Sequence, residues 1–195
     1  MKRGLWPALL ALSTSGCWAS SDAMVELDHP RVDSPGPAEA TVVFIRPAST
    51  APDTVVTLFT SSGDFIGDSL ADSCFSRTMS PGRHTFVGVG PNVSVMSADL
   101  ARKKTYFVEV AVNTGVLSVR SHMFAVHRAE GDALGKLGRW LADCDFYEVD
   151  PDVGQARLDR DHERMVEQIF RAQLALTKYP PKEVARRTLF IEDGR

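Results

Sequence analysis

The sequence has no excess of charge of either sign and, beyond its amino terminus, no long apolar run. It carries 22 lysines and arginines against 25 aspartates and glutamates in 195 residues. It therefore lacks the positive potential with which proteins attract a phosphate backbone. After residue 16 no uninterrupted apolar stretch approaches the ~20 residues of a membrane-spanning helix. The composition argues against nucleic acid as a partner and predicts one globular domain.

The sequence also lacks the motifs of common catalytic and metal sites. It contains no glycine-rich phosphate loop and no nucleophile elbow. His162 begins a segment of helical period, but a zinc protease needs a second histidine four residues later, where Val166 stands. The acidic residues between 143 and 152 lack the glycine-punctuated spacing of a calcium loop. We therefore predict no catalytic residue, no metal ligand and no cofactor.

The amino terminus has the pattern of a bacterial export signal. Lys2 and Arg3 precede an apolar stretch over residues 4–12, within the ~7–15 residues of a signal-peptide core. Thr-Ser-Gly then precedes Cys17, which resembles the bacterial lipobox, although the threonine stands where that motif prefers an aliphatic residue. We predict a lipoprotein-type signal peptide over residues 1–16 and lipidation of Cys17. The chain would then be anchored in the cell envelope, at the outer membrane.

A second interpretation of this terminus stays open. Ordinary signal-peptidase cleavage after Ala19 or Ala23 would remove Cys17. The mature protein would then be soluble in the periplasm or secreted. Both interpretations place the domain in an oxidising compartment.

The few cysteines predict one disulfide. The chain has three, and once Cys17 is acylated or removed, Cys74 and Cys144 remain as an even pair. We expect them to be bonded, with a stabilisation of roughly 4 kcal/mol on the chain-entropy view. Two separately buried thiols are the alternative.

Turn residues and hydrophobic periodicity divide the rest of the chain. Residues 17–40 are rich in Ser, Asp, Pro and Ala, which is typical of a tether. Short β-branched and aromatic segments separated by turns follow over 41–127, and predict a mainly β domain, an antiparallel β-sandwich or partly closed barrel. After residue 128 the period changes to three and four. This predicts a helical C-terminal extension over 128–195 with two appended helices, at 132–141 and 152–178.

The longer predicted helix carries an apolar stripe. Its members recur three, four or seven residues apart: Leu158, Met165, Ile169, Ala172 and Leu176. A stripe of this length left in water is an aggregation liability. We therefore expect Leu158, Met165, Ile169 and Leu176 to be interaction residues, covered either by the protein's own sheet or by another chain.

Four motifs carry a resemblance to a known family. Residues 42–47 read VVFIRP, 67–70 read GDSL, 80–86 read SPGRHTF and 104–110 read KTYFVEV. Over residues 40–112 the chain resembles an uncharacterised bacterial family of small exported or lipid-anchored β-sandwich domains. Arg102 and Lys103 depart from the small residue and glycine usual there, which implies an altered turn. The resemblance implies a sandwich at the envelope and brings no active site to transfer.

These observations favour a non-enzymatic envelope lipoprotein that acts as a scaffold or protein-interaction module. Its expected partners are a membrane, through the lipid on Cys17, and an envelope protein. A periplasmic ligand-binding module is the main alternative, and a hydrolase is a weaker one. A pocket with convergent polar groups would favour ligand binding, whereas an exposed apolar strip on the 152–178 helix would favour a partner.

Overall fold

Two β-sheets make up most of the fold in a computed structural model, which describes residues 19–47, 51–116 and 118–195. The first sheet contains β1 (Met24–Glu26), β2 (Ala40–Ile45), β5 (Ser73–Met79), β8 (Lys104–Thr114), β9 (Val119–Ala125) and β10 (Asp145–Val149). The second contains β3 (Val56–Thr60), β4 (Phe65–Ser69), β6 (Gly82–Val89), β7 (Val93–Leu100) and β11 (Thr188–Leu189). The strand orders are β1-β10-β5-β2-β8-β9 and β11-β7-β6-β3-β4.

The prediction of a mainly β fold is confirmed, and neither sheet closes into a barrel within the residues that the structure describes. The two sheets meet through aromatic side chains. Phe44 of β2 packs edge-on against Phe86 of β6, with ring centroids 5.6 Å apart, and stacks on Phe75 of β5 at 5.3 Å. All three rings are buried, as expected of the core between two packed sheets.

The expectation of purely antiparallel pairing is wrong for three strand pairs. β2 runs parallel to β8, β5 to β10 and β7 to β11. The partners in each pair come from distant parts of the chain, so no tight hairpin fixes them as antiparallel. The hairpins the sequence does signal, such as β3 with β4 and β6 with β7, are antiparallel.

Strands also form in both segments that flank the predicted sandwich. The stretch expected to be a tether, 17–40, contains β1, which pairs antiparallel with β10 from the segment expected to be a helical extension. β11, near the carboxyl terminus, pairs with β7. Met24 in β1 is buried at 7% exposure, so burial of an apolar side chain accompanies the pairing. The pairing therefore joins the segments before residue 40 and after residue 128 to the sheets formed by the strands between them.

The helical part has more elements than predicted. The helices are α1 (Ala133–Asp143), α2 (Pro151–Arg160), α3 (His162–Leu176) and the short α4 (Pro181–Arg186). The helix expected over 152–178 is interrupted at Asp161, whose φ of −104° and ψ of 27° are not helical. α2 begins at an Asp150 cap, whose carboxylate accepts hydrogen bonds from the amides of Asp152 and Val153.

The helices cover the two outer faces of the sheet pair. Ala133 and Leu137 of α1 join a small core with Val43, Ile45 and Phe107 on the outer face of the first sheet. α2 contacts β4, and α3 contacts β6 and β7 of the second sheet. The order of layers is α1, first sheet, second sheet, α2–α3.

The predicted disulfide is confirmed. Cys74 in β5 is bonded to Cys144, the residue that follows α1, with their Cα atoms 5.8 Å apart. The parallel pairing of β10 with β5 places Phe146 opposite Cys74 and so brings Cys144 within reach. The bond fastens the end of α1 to the first sheet.

A buried arginine fastens the loop after β2. The side chain of Arg46 is fully buried and donates hydrogen bonds to the carbonyl oxygens of Ala51 at 2.8 Å, of Ser69 at 3.0 Å and of Thr54. Burial lowers its pKa to about 10, which leaves it charged at neutral pH. The arginine of the VVFIRP motif is therefore part of the framework.

Candidate functional site

The four predicted interaction residues lie on the side of α2 and α3 that faces the second sheet. Leu158 and Met165 are 7% and 8% exposed, and both belong to the main core. Ile169 and Leu176 are partly buried and pack against that core. The stripe is therefore covered by the protein's own sheet and not by another chain.

A second apolar row on α3 points away from the sheet. Val166, Phe170 and Leu174 follow each other at intervals of four residues and are 50%, 66% and 46% exposed. Residues four apart lie one above the other on a helix, so the three side chains form a continuous row. We call these three residues the α3 ridge.

The charged side chains around the α3 ridge are of both signs. Glu167 accepts a hydrogen bond from Arg171 at 2.5 Å, one turn further along the helix. Glu163 and Arg164, also exposed, lie in the first turn. The ridge therefore has no surrounding field of one sign, and what distinguishes it from the rest of the helix surface is its apolar area.

α2 and α3 are held firmly on the second sheet. The side chain of Gln155 accepts a hydrogen bond from the amide of Phe65 at 2.8 Å and donates one to the carbonyl of Gly63 at 3.2 Å. A side chain at Gly154 would collide with the ring of Phe65, so only glycine allows α2 to approach this closely. These contacts explain why α2 begins over the β3–β4 hairpin.

A cleft of about 420 Å³ lies between the second sheet and the helical layer. Its apolar walls come from both sides, with Phe59 and Val89 on the sheet and Leu158 and Met165 on the helices. Polar side chains line it as well: Ser20, Ser21, Thr57, Asp68, Arg157, Asp161, Arg164 and Gln168. The cleft therefore combines apolar walls with several convergent polar groups, a combination that small-molecule sites commonly have.

The carboxylate of Asp68 is the centre of the polar groups in the cleft. It is fully buried and accepts hydrogen bonds from Ser21 at 2.5 Å, Thr57 at 2.7 Å and Arg157 at 2.7 Å. A buried carboxylate needs such partners, because desolvation of an unpaired charge is costly. The network joins the amino-terminal segment, the second sheet and α2. Sequence reasoning missed it because Asp68 and Arg157 are 89 residues apart.

A separate polar cluster holds the carboxyl-terminal segment. Arg187 is 2% exposed and donates hydrogen bonds to the Glu183 carboxylate at 2.7 Å and to the ring nitrogen of His122 at 3.0 Å. Burial, and then the charge of Arg187, lower the pKa of His122. His127 contacts Asp193 at 3.0 Å instead. The two histidines, five residues apart in the sequence, therefore serve different contacts.

The signal segment 1–16 and Cys17 lie outside the described residues. His162 is exposed at the start of α3. Within the described ranges, no group of three or more His, Cys, Asp or Glu residues could hold a metal ion. No helix in the same ranges is long and apolar enough to cross a membrane.

Comparison with protein-family models, with curated proteins and with solved structures finds no match to this chain. The resemblance of residues 40–112 to exported sandwich domains therefore stays a prediction.

Proposed function

We propose that the chain is a lipid-anchored bacterial envelope protein whose sandwich carries a non-catalytic interaction module. The anchor is the lipid on Cys17, and the interaction surface is the α3 ridge. The observation that carries the proposal is this row of three exposed apolar side chains on a helix that the fold holds in place. Exposed apolar surface of this kind marks sites of contact with other macromolecules or membranes.

Two features of the helical layer support the proposal. The buried stripe of α3 already satisfies the need to cover an amphipathic helix, so the ridge is apolar area in excess of what packing requires. α2 is hydrogen-bonded to the β3–β4 hairpin through Gln155, which limits the movement of the layer that presents the ridge. A preorganised surface loses little conformational entropy on binding.

The proposal is tested by photo-crosslinking in living cells. A photoreactive amino acid replaces Phe170 in one variant and Leu134 in a second variant. Leu134 is 69% exposed and lies on α1, at the opposite face of the molecule. We expect an adduct with an envelope component at position 170 and none at 134. Equal adducts at both positions, or none at either, would contradict the interaction surface.

The anchor is tested separately. We expect Cys17→Ser to move the protein from the membrane fraction to the soluble fraction, because acyl chains supply the membrane affinity. Mass spectrometry of the native amino terminus should find an acylated cysteine. An unmodified residue following Ala19 or Ala23 would rule the anchor out.

The cleft supports ligand binding as a second candidate function. Its size falls within the ~300–1,000 Å³ of typical ligand sites, and the Arg157 and Asp68 side chains meet at its wall. Native mass spectrometry of protein purified from its own cells should then show a bound small molecule. Val89→Trp, which fills the cleft, should abolish that extra mass, and a wild-type spectrum with no extra mass would count against this function.

A further inference from the structure

We propose that the α3 ridge contacts the lipid bilayer in which Cys17 is anchored, so that the domain lies flush on the membrane with its α2–α3 layer facing the lipid. The inference rests on the proposed function and names the partner of the same surface. It follows from the short distance between the anchor and the fold, from the side of the molecule at which the chain leaves it, and from the chemistry of the ridge.

The fold holds the chain almost from the anchor onwards. The amide of Ala19 donates a hydrogen bond to the carbonyl of Pro52, and the hydroxyl of Ser21 donates one to the buried Asp68. Three peptide units separate Cys17 from Ser20, and three residues of fully extended chain span at most about 11 Å. The lipid therefore cannot be further than this from the surface of the domain.

The chain leaves the domain beside α3. Ser20 and Ser21 line the same cleft as Arg164 and Gln168, which belong to α3. A helix with its side chains is about 10–12 Å across, so a bilayer within reach of Ser20 is also within reach of the outer side of α3. α1 lies beyond both sheets, and packed sheets alone are ~10 Å apart. When the domain lies on its α2–α3 side, the two sheets therefore hold the α1 layer away from the membrane.

The chemistry of the α3 ridge fits an apolar boundary better than a charged one. Phe170 is the most exposed of its three residues, and Val166 and Leu174 extend the row by one turn on each side. Glu163 and Glu167 lie beside the row, and Arg171 pairs with Glu167, so the charges there have no positive excess. An amphipathic helix of this composition binds through buried apolar area, not through attraction to anionic lipid. We therefore expect zwitterionic lipid to be sufficient for the contact.

The experiment places a polarity-sensitive fluorophore on a cysteine at each of two exposed positions, in Phe170→Cys and in Leu134→Cys. In the acylated full chain the native cysteines do not react, because Cys74 and Cys144 are bonded to each other and Cys17 carries lipid. The labelled proteins are reconstituted in phosphatidylcholine vesicles, with and without brominated acyl chains. Equal melting temperatures for both labelled proteins and the wild type establish that both fold.

On vesicles, we expect the emission maximum of the fluorophore at position 170 to move to shorter wavelength, and its emission to be quenched by brominated lipid. The fluorophore at position 134 should keep the emission spectrum that it has in water. Replacing part of the lipid by phosphatidylglycerol should change neither result. The proposal is overturned if both labels give the spectrum in water, if both respond equally, or if only the label at 134 responds.

The two proposals fail in different ways. If Cys17 is acylated and crosslinking at position 170 captures a discrete protein, while the label at 170 stays in water, the interaction module stands and the membrane contact falls. If the native amino terminus carries no lipid, the membrane contact falls together with the anchor.

Discussion

The two helical layers of this protein are attached to the same pair of sheets by different means. The α1 layer is tied to the first sheet by the bond between Cys74 and Cys144. The α2–α3 layer contains no cysteine and is held by apolar burial and by the ion pair between Arg157 and Asp68. A covalent tie depends on the redox state of the compartment, whereas the other attachment depends on complementary side chains. The attachment of each helical layer to its sheet can therefore be weakened without weakening the other.

The largest effect should come from the disulfide. Replacing Cys74 and Cys144 together by alanine should lower the free energy of unfolding by roughly 4 kcal/mol, because the unfolded chain regains the freedom of a long loop. Denaturant unfolding of the wild type, with and without reductant, measures the same quantity. Reductant should bring the wild type to the stability of the variant and leave the variant unchanged; a shift in the variant would mean that reductant acts elsewhere.

A charge placed in the core between α3 and the second sheet should cause the next largest loss of stability. Met165→Asp places a carboxylate in the core and should cost about 3 kcal/mol of unfolding free energy. Val166→Asp makes the same substitution one residue further along, at a position that is 50% exposed, and should cost less than about 0.5 kcal/mol. Thermal melts of both variants test the orientation of α3. Similar melting temperatures would show that the helix does not lie as described.

The ion pair at the cleft should give the smallest of the three effects. Arg157→Met leaves Asp68 buried with hydroxyl partners alone and should cost about 2 kcal/mol, less than a fully buried pair because the Arg157 side chain is 30% exposed. The double variant with Asp68→Asn should recover part of that loss, since no buried charge remains. Arg160→Met, at an exposed position of α2, is the control. If it destabilises as much as Arg157→Met, the ion pair is not the cause.

The same contrast shows what sequence reasoning can reach. The pairing of Cys74 with Cys144 follows from counting cysteines under the expectation of an oxidising compartment, and needs no knowledge of the fold. The buried stripe with Leu158 and Met165 follows from helical periodicity. The row of Val166, Phe170 and Leu174 also has helical spacing, but periodicity does not say which of two adjacent rows is buried, because tertiary packing decides that.

Contacts between distant segments could not be predicted in this way. β1 has three residues among prolines and acidic residues, too few for an alternation to be recognised, and its partner strand lies near residue 148. The ion pair of Asp68 with Arg157 could not be predicted either, because the two residues are 89 positions apart. A lone aspartate in a strand or an arginine on a helix is usually solvated, and neither residue signals the other.

The interleaving of remote strands also fixes when the fold can be completed. β2 can pair with β8 only after the middle of the chain has been made. The edge pairs, β1 with β10 and β7 with β11, need still later parts of the chain. Topologies dominated by such distant pairings fold slowly, because long loops must close before their contacts form. A chain delivered amino terminus first would thus keep unfinished strand edges until its final quarter arrived. Such an incomplete chain is therefore a natural client for holding chaperones and an exposed substrate for proteases.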